Sequence, residues 1–396
     1  MYYTKKITDS VTWVGGVDRR LALFENLFPI ENGVSYNSYL IMDDKTALLD
    51  TADSAISLQF FENVEHTLDG RSLDYLIVNH MEPDHCACIG ELIRRYPEMK
   101  IVGNAQTFKF IKQFFDVELG EKAVTVKEGD KLSLGTHELS FYMAPMVHWP
   151  EVMATYDATE KILFSADAFG TFGAMNGTIF NDEEDFEGEW LDDARRYYSN
   201  IVGKYGPQVQ AVLKKLKGLD IAMIAPLHGP VWRSNIDWFI DKYDKWSRYE
   251  AEEQGIVIAY ASMYGDTANA ADILAGELVE QGAKNVKVYD VSKTHVSKLI
   301  SEVFKYSNLV IACPTYNNGI YPAMHEFIND MKALGIQGRK VGIIENGTWA
   351  PAAGKAIRAE LESMKNIEIV EPVVTIRSAL QSDSRTQLEA LAKGML

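Results

Sequence analysis

The sequence predicts an α/β protein of two domains, and three observations carry this prediction. Apolar runs of strand length alternate with amphipathic helical segments along nearly the whole chain. Four of the eight histidines lie where such a run gives way to a loop. From Gly255 onward, strand, loop, helix and strand follow one another as in a doubly wound parallel sheet. A chain of 396 residues is long enough for two or three domains, and residues 1–250 and 254–396 are the economical division.

The first predicted domain alternates strands and helices from its start. VTWVGGVD and GVSYNSYLIMDDKTALLD are predicted strands, with a hairpin turn at Asp43 and Asp44. A helix is predicted from SAISLQFFENVEHTL, where Ile56, Phe60 and Val64 recur at helical spacing. The later elements are, in order, the strand DYLIVN, the helix IGELIRRY, the strand KIVGN, the helix QTFKFIKQFF, the strands HELSFYMAPMV and KILFSA, the helices DARRYYSNIVGKYG and QVQAVLKKLKG, and the strand IAMIAPL.

The second predicted domain begins after the charged segment 242–254. Its first strand, IVIAYA, is followed by a loop, a helix and the strand NVKVYDV. The strands LVIACPT, KVGIIEN and EIVEPVVTI then alternate with helices to residue 396. This order predicts a doubly wound parallel sheet, in which ligands bind beyond the carboxyl ends of the strands.

Composition and charge exclude several classes of protein. The formal net charge of −17 disfavours nucleic acid and anionic membranes as partners, because both would repel the chain. The start, MYYTKKITDS, lacks the apolar segment of a secretory signal, and no stretch approaches 18 consecutive apolar residues. We therefore expect a cytoplasmic protein. Cys86, Cys88 and Cys313 are too few for a disulfide framework, and the first two are expected to be small buried residues rather than metal ligands.

The segment NHMEPDHC, residues 79–86, carries the strongest chemical signal and is called the ligand segment below. Within six positions it offers His80, Glu82, Asp84 and His85, directly after a predicted buried strand. Pro83 predicts that the four groups lie on a loop rather than along a helix. Because alternate residues of an extended segment point to opposite sides, two metal ions are a simpler interpretation than one. A solvated acidic loop with two incidental histidines is the alternative.

Three further groups of the first domain follow apolar strands. They are His148 after FYMAPMV, Asp167 after KILFSA and His228 after IAMIAPL. Together with the ligand segment they give four imidazoles and three carboxylates. Each histidine taken alone also has the ordinary interpretation of a core or surface residue with a satisfied partner.

The spacing of these residues resembles the diiron site of the flavodiiron proteins, a branch of the metallo-β-lactamase fold. His-x-Glu-x-Asp-His is followed after 62 residues by His148, after 18 more by Asp167 and after 60 more by His228. The resemblance implies a metallo-β-lactamase-like αββα sandwich followed by a flavodoxin-like domain. It also implies a ligand set, in which one iron is held by His80, Glu82 and His148, the other by Asp84, His85 and His228, and Asp167 bridges the two. The histidine that corresponds to His85 does not bind metal in every member of the family.

The residue types favour iron or manganese over zinc. Hydrolases of this fold carry His-x-His where this chain has His80-Met81-Glu82, and a carboxylate in place of an imidazole makes the site harder and more anionic. Groups behind the ligands are expected to orient the imidazoles. Asp50 is a candidate for this role by analogy of fold, and a water-exposed carboxylate at the end of a hairpin is the alternative.

A phosphate-binding loop is predicted where the strand IVIAYA meets its helix, which we expect to begin near Ala268. Backbone N–H groups, two hydroxyls and the positive end of the helix would hold a phosphate there. The loop matches neither a Walker loop nor Gly-x-Gly-x-x-Gly, and it resembles the FMN phosphate loop of flavodoxins, with an acid where asparagine is more usual. Its residues are Ser262, Met263, Tyr264, Gly265, Asp266 and Thr267.

Two later loops at strand ends are predicted to hold the isoalloxazine ring of FMN. They offer flat aromatic surface and amide groups, which a flavin needs for stacking and for tuning of its potential. Trp349 also has the alternative interpretation of a core or interface aromatic. The first loop comprises Pro314, Thr315, Tyr316, Asn317, Asn318 and Gly319, and the second Asn346, Gly347, Thr348 and Trp349.

The combined hypothesis is a flavodiiron oxidoreductase that relays electrons through FMN to a diiron site. The resemblance implies reduction of dioxygen to water, of nitric oxide to nitrous oxide, or of both. The three cysteines cannot form the two Cys-x-x-Cys pairs of a rubredoxin, so we expect an external donor, either rubredoxin or a reduced deazaflavin.

A domain of about 250 residues has a radius of gyration of roughly 18 Å, which separates flavin and iron within one chain. The resemblance implies a head-to-tail homodimer as the solution, alone or as a dimer of dimers.

Two other functions stay open at this point. A metal-dependent zinc hydrolase with a flavodoxin-like appendage would hydrolyse its substrate without flavin. An electron carrier or scaffold with an inactive metal site would bind FMN but would not reduce a gas. Glu82 argues against the first alternative, and the full set of seven ligands argues against the second.

Overall fold

A computed structural model describes residues 1–396, which form two compact units. The first comprises Met1–Tyr197 and Pro207–Asp244, and the second Tyr198–Gly206 and Lys245–Leu396. The boundary predicted near residue 250 stays a prediction, and the short segment before Pro207 groups with the second unit, although the sequence placed it in the first. None of the helices combines the length and the apolar character that a membrane span needs.

The first unit contains sixteen strands and the helices that connect them. The strands are β1 (Lys5–Lys6), β2 (Val11–Trp13), β3 (Gly16–Asp18), β4 (Leu23–Phe24), β5 (Phe28–Pro29), β6 (Val34–Tyr36), β7 (Tyr39–Met42), β8 (Thr46–Leu49), β9 (Tyr75–Ile77), β10 (Lys100–Gly103), β11 (Ala123–Thr125), β12 (Lys131–Ser133), β13 (Glu138–Met143), β14 (Met153–Asp157), β15 (Ile162–Phe164) and β16 (Met223–Ala225). The helices are α1 (Ser57–Leu68), α2 (Pro83–Cys86), α3 (Ile89–Arg95), α4 (Ala105–Phe114), α5 (Leu191–Tyr197), α6 (Gly206–Leu216) and α7 (Ile236–Ser247).

Two sheets form the centre of this unit. One has the order β1-β2-β7-β8-β9-β10-β11 and the other β12-β13-β14-β15-β16. Tyr39 of the first sheet packs against Phe164 of the second, with ring centroids 5.3 Å apart. The predicted αββα sandwich is confirmed. The hairpin turn predicted at Asp43 and Asp44 is also present, between the antiparallel strands β7 and β8.

Two expectations for this unit are wrong in detail. Asp84 and His85 lie on the single helical turn α2 and not on a loop, because Pro83 occupies its first helical position, where a missing N–H costs nothing. The strand pair predicted from HELSFYMAPMV and KILFSA is separated by β14, which pairs antiparallel with both β13 and β15. The segment MATYD alternates too briefly to be recognised by period alone.

The second unit is built on one parallel sheet. Its central order is β18-β17-β19-β21-β22, and β23 also pairs with β21. This is the order of a flavodoxin-like doubly wound sheet, as the sequence predicted. The strands are β17 (Glu253–Tyr260), β18 (Val286–Asp290), β19 (Tyr306–Tyr316), β20 (Gly319–Ile320), β21 (Arg339–Asn346), β22 (Ile367–Ile369) and β23 (Val374–Ile376), and the helices are α8 (Asp266–Glu280), α9 (Val296–Lys305), α10 (Pro322–Ala333), α11 (Ala353–Glu362) and α12 (Ser382–Met395).

The one strand predicted from EIVEPVVTI is two strands in the structure. Pro372 lies between β22 and β23, and a proline has no N–H for the sheet hydrogen bonds. A buried Arg339 further ties this unit together, because its guanidinium donates to the carbonyl oxygens of Val303 and Tyr249 over 2.8 and 2.7 Å.

Candidate metal centre and flavin site

Asp50 fixes the start of the ligand segment. It follows β8, which runs parallel to β9, so the carboxyl ends of both strands meet at one edge. Its Oδ1 accepts hydrogen bonds from the backbone N–H groups of Asn79 and His80 over 2.7 and 3.0 Å, and its Oδ2 accepts from the Asn79 amide over 2.8 Å. Burial raises the pKa of Asp50 to about 6, against these hydrogen bonds. Asp50 is thus buried rather than water-exposed, and it orients the backbone rather than an imidazole.

The seven residues predicted as ligands come together in two groups. The first group consists of His80, Glu82 and His148, and the second of Asp84, His85 and His228, with Asp167 beside both. In the first group the Nε2 atoms of His80 and His148 are 3.3 Å apart, and Glu82 Oε2 lies 2.9 Å from the latter. In the second, the Nε2 atoms of His85 and His228 are 3.0 Å apart.

Asp167 lies between the groups and presents one oxygen to each. Its Oδ2 is 3.0 Å from His148 Nε2 and 3.3 Å from His80 Nε2. Its Oδ1 is 3.2 Å from His85 Nε2 and 3.8 Å from His228 Nε2. A carboxylate in this position can join two ions, one on each oxygen.

The spacing of the donor atoms fits the coordination of metal ions, and several of these atoms lack hydrogen-bond partners within the chain. Nitrogen and oxygen ligands about 2.1 Å from one ion lie roughly 3.0 to 3.4 Å apart, which is the spacing seen in both groups. Both oxygens of Asp84 and Oδ1 of Asp167 are buried and lack a hydrogen-bond partner within the chain. Buried carboxylate oxygens normally have partners, so these orphaned atoms favour bound cations. The donor set of imidazoles and carboxylates suits iron or manganese.

The electrostatics of the site attract positive charge. Burial disfavours the charged form of His148, but Asp167 and Glu82 overcome it and raise the pKa of His148 to about 9. The imidazoles in turn hold the pKa of Asp167 well below its usual range, against the effect of burial. Protons and metal ions compete for the same nitrogen lone pairs, so a site that attracts protons this strongly also attracts cations.

The second nitrogens of the imidazoles have different surroundings. His80 Nδ1 is 2.8 Å from Oε1 of Glu151, a fully buried residue that also accepts from Met81 N over 2.8 Å. His228 Nδ1 donates to the backbone oxygen of Ser35 over 2.8 Å. His85 Nδ1 is buried without a hydrogen-bond partner.

Several residues around the centre escaped the sequence analysis. Glu151 was detectable only as the acid three positions after His148. The rings of Phe24, Tyr36 and Tyr197 surround His228, with centroids 5.4, 5.8 and 5.5 Å from its ring. These rings come from three separate elements, so no local sequence pattern predicts that they meet around His228.

Glu25 lies at the edge of the centre and also escaped the sequence analysis. Desolvation of its carboxyl beside the centre, together with the neighbouring charge of Glu82, raises the pKa of Glu25 to about 8.

The buried cysteines of this unit are not among the grouped donors. Cys86 Sγ donates to the backbone oxygen of Met81 and Cys88 Sγ to that of Ala52. Burial raises the pKa of both thiols to about 12, which opposes the thiolate form that metals bind.

A cavity of about 770 Å³ lies where the second unit was predicted to bind FMN. Of the sixteen residues predicted from the three loops, only Gly265 and Gly319 do not line it, and the sequence missed Ala350 and Ser378. The residues that line it are Ser262, Met263, Tyr264, Asp266, Thr267, Pro314, Thr315, Tyr316, Asn317, Asn318, Asn346, Gly347, Thr348, Trp349, Ala350 and Ser378.

The end of this cavity at α8 fits a phosphate. Helix α8 begins at Asp266, two residues earlier than predicted, and no side chain caps its first turn. The first N–H groups of a helix need partners from outside it, and a phosphate supplies them. Gly265 adopts a φ of +102°, which favours glycine and lets the loop turn into the helix.

Two of the cavity-lining residues that were predicted to contact the flavin also form hydrogen bonds that join the loops. Asn346 bonds both backbone groups of Ser378, with Nδ2 donating over 2.9 Å and Oδ1 accepting over 3.1 Å. Thr315 Oγ1 accepts from the N–H groups of Ala352 and Ala353 at the start of α11. Their side chains hold the cavity walls in place.

The chain is similar to known proteins along nearly its whole length. Residues 34–229 match the family described as ODP family beta lactamase, and residues 258–390 match the flavodoxin family. The nitric oxide reductase of Moorella thermoacetica is 32% identical over 375 residues, 94% of this chain and 92% of that protein. The anaerobic nitric oxide reductase flavorubredoxin of Aliivibrio salmonicida is 34% identical over 365 residues, 90% of this chain and 72% of that protein.

Solved structures complete the comparison. The rubredoxin oxygen:oxidoreductase of Desulfovibrio gigas matches with a TM-score of 0.93 at 28% identity, over 99% of this chain and 98% of that one. The flavodiiron protein of Giardia intestinalis, 23% identical, shares the fold with a TM-score of 0.89. Fold and donor set thus define an oxidoreductase that joins a β-lactamase-like domain to a flavodoxin domain. The chain belongs to the flavodiiron protein family, and the predicted resemblance is confirmed.

Proposed function

We propose that this oxidoreductase takes electrons through FMN and delivers them to two iron ions, where it reduces dioxygen to water or nitric oxide to nitrous oxide. The observation that carries the proposal is Asp167, whose two oxygens face two adjoining groups of donors. The names of the relatives, which include nitric oxide reductases and an oxygen:oxidoreductase, support both gases as substrates.

The proposed roles of the residues follow from their positions. His80, Glu82 and His148 would hold one ion, Asp84, His85 and His228 the other, and Asp167 would bridge them. When bound, two ferrous ions would supply two electrons, enough to convert two nitric oxide molecules and two protons to nitrous oxide and water, and reduced FMN would supply the two further electrons that four-electron reduction of one dioxygen to two waters requires.

Other residues shape the surroundings of the centre. Phe24, Tyr36 and Tyr197 exclude water around His228. Glu25 would hold a proton at the edge of the centre, where its pKa is raised to about 8. In the second unit, the uncapped start of α8 would hold the FMN phosphate, and Tyr316 and Trp349 would flank the ring.

We further propose that the active form is a head-to-tail homodimer, alone or as a dimer of dimers. Large apolar side chains with high exposure collect around the flavin cavity: Met263 is 45%, Tyr264 92%, Tyr316 41% and Trp349 85% exposed. Exposed apolar patches of this kind mark interaction surfaces. A second copy would bring its metal centre to this flavin. Dilution below the dimer dissociation constant should abolish turnover while both cofactors stay bound, and full activity of a monomer would contradict the dimer.

The electron donor is proposed to be rubredoxin or a reduced deazaflavin, in the cytoplasm, where the free thiols of Cys86, Cys88 and Cys313 are stable. The alternative of a zinc hydrolase is disfavoured by Glu82, the carboxylate that stands where hydrolases of this fold have histidine.

Anaerobic stopped-flow tests the proposed reaction. The fully reduced protein is mixed with dioxygen or with nitric oxide, and flavin oxidation is followed by absorbance. We expect reoxidation by at least one gas far faster than that of free FMN, with about two irons per chain by elemental analysis. Zinc in place of iron, or reoxidation no faster than that of free FMN by either gas, would overturn the proposal.

A further inference from the structure

The two groups of donors differ in what lies behind their imidazoles. In the first group, His80 Nδ1 faces the carboxylate of Glu151 over 2.8 Å. In the second, His228 Nδ1 faces the neutral backbone oxygen of Ser35 over 2.8 Å, and His85 Nδ1 faces no acceptor. A carboxylate behind an imidazole fixes its tautomer and raises its basicity as a ligand more than a neutral carbonyl does.

Glu151 itself needs a positive charge nearby. It is 0% exposed, its Oε2 has no hydrogen-bond partner, and no lysine or arginine forms an ion pair with it. Its acceptor bonds from His80 and Met81 leave a buried negative charge that is only partly compensated. A cation bound at His80 Nε2 would supply the missing compensation through the ring.

We propose that Glu151 is a positioning residue that makes the first group the tighter of the two metal sites, so that the centre fills and empties in a fixed order. The first ion binds at His80, Glu82 and His148, and the second binds more weakly at Asp84, His85 and His228. This inference rests on the proposed diiron centre and adds an order to it.

Bridging by Asp167 does not remove this difference, because its oxygens are shared between both groups. Each group also contains one unshared carboxylate, Glu82 in the first and Asp84 in the second, so these two residues do not make the groups different in charge. Asp50 contacts only backbone and amide groups at the start of the ligand segment and backs no imidazole directly. Glu151 is therefore the carboxylate that distinguishes the two groups through a direct bond to a ligating ring.

The chain provides a matched control for a change at Glu151. Asp157 is also fully buried and also lies 2.8 Å from an imidazole Nδ1, that of His137. The Nε2 of His137 faces Ser10 Oγ over 2.9 Å and no metal-ligand group. Asp157→Asn thus removes the same kind of buried charge from the same kind of contact, away from the centre.

The test is a stepwise anaerobic titration of the metal-free protein with Co²⁺, read by its visible absorption, for the wild type, Glu151→Gln and Asp157→Asn. Glutamine can keep one oxygen acceptor for His80 and Met81, and it replaces the negative charge and the unpartnered oxygen by a neutral NH2 group. We expect Glu151→Gln to weaken the first dissociation constant about 10- to 100-fold and to bring it near the second. Asp157→Asn should leave both constants within threefold of the wild type.

Anomalous diffraction from wild-type crystals loaded with one Co²⁺ per chain gives a second readout that depends on no variant. We expect the anomalous peak beside His80 and His148. A peak beside His85 and His228, equal peaks at both places, or an unchanged first constant in Glu151→Gln would overturn the inference.

The two proposals fail in distinguishable ways. Ordered binding of two ions without gas reduction would overturn the proposed function alone. Gas reduction with two equal metal sites would overturn only the order.

Discussion

The metal centre and the flavin cavity are built in opposite ways. The side chains that form the metal centre are almost fully buried, with His80 and His85 at 0% and Asp167 at 1% exposure. The cavity of the second unit is lined by exposed loops, and Tyr264 and Trp349 keep most of their surface in solvent. The difference indicates that packing alone holds the grouped donors in place, whereas a flavin in the proposed cavity would itself cover part of the exposed lining.

The largest predicted effect concerns the residue that both donor groups share. Asp167→Asn removes the negative charge and one acceptor oxygen from between the two groups. Loss of a supporting partner costs 10- to 100-fold in metal affinity, and we expect loss of this ligand to cost on the order of 100-fold or more. Iron content should fall below one per chain by elemental analysis, and gas reduction should fall with it.

FMN content is the internal control for that experiment, because Asp167 lies in the first unit and the cavity in the second. A variant that keeps two irons per chain would show that Asp167 is not a shared ligand.

The rigidity of the metal centre can be tested at Asp50. Asp50→Ala leaves three N–H groups of Asn79 and His80 without their acceptor, which we expect to lower the free energy of unfolding of the metal-free protein by about 3 kcal/mol. Denaturant unfolding monitored by circular dichroism measures this.

Asp74→Ala is the matched control for Asp50. Its carboxylate also accepts from a backbone N–H, that of Thr46, but at the other end of the same strands and partly exposed to solvent. A loss at Asp50 no larger than the loss at Asp74 would contradict a prebuilt centre.

The sequence predicted the metal centre better than its supports, and the reason is physical. Ligand types and their order along the chain are local properties, so His80 to His228 could be identified one strand end at a time. The supports act across the fold: Glu151 reaches His80 from a loop 71 positions later, and Ser35 reaches His228 across 193 positions. Contacts between residues so far apart in the chain leave no periodic pattern in the sequence.

The flavin loops show the converse. Their position at strand ends predicted most of the residues that line the cavity. It did not predict which of their side chains form hydrogen bonds to neighbouring loops. Asn346 and Thr315 form hydrogen bonds within the loops that they stabilise, and Ser378 was missed although it also follows a predicted strand end. The helical turn α2 was missed because a proline such as Pro83 is compatible both with a loop and with the first position of a helix.

A cavity that its ligand completes should lose affinity when an exposed aromatic is removed. Trp349→Leu is expected to weaken FMN binding about 10-fold, because stacking of an aromatic base on a ring contributes about 1 to 3 kcal/mol. Fluorescence titration of the FMN-free protein measures the change. Phe114→Leu, at an exposed aromatic of the first unit, should change nothing, and an unchanged affinity in Trp349→Leu would place this ring outside the flavin site.

The buried pair of His137 and Asp157 predicts a pH effect that is confined to stability. Ser10 Oγ donates to Glu160 over 2.7 Å, so it accepts from His137, whose other nitrogen donates to Asp157. The hydrogen bond to Asp157 raises the pKa of His137, against the effect of burial, and Asp43 and Glu160 add to the rise.

Because the pKa is raised on folding, this stabilisation is complete below the ordinary histidine pKa and is lost as the pH rises through the folded value. We expect the stability lost in His137→Gln to be about 1 kcal/mol larger at pH 6 than at pH 9. Denaturant unfolding at both pH values measures it, and a loss that is the same at both would show that folding does not raise the pKa of His137.

The smallest predicted effect lies at the phosphate end of the flavin cavity. Asp266 is the first residue of α8, where its negative charge stabilises the helix but opposes a phosphate dianion at the same N-terminus. Asp266→Asn should therefore tighten FMN binding about threefold, an effect of the size that helix-terminal charges have. Riboflavin, which has the same ring and no phosphate, separates the two contributions. Its affinity should not change, and equal tightening of both flavins would show that Asp266 acts on the ring rather than on the phosphate.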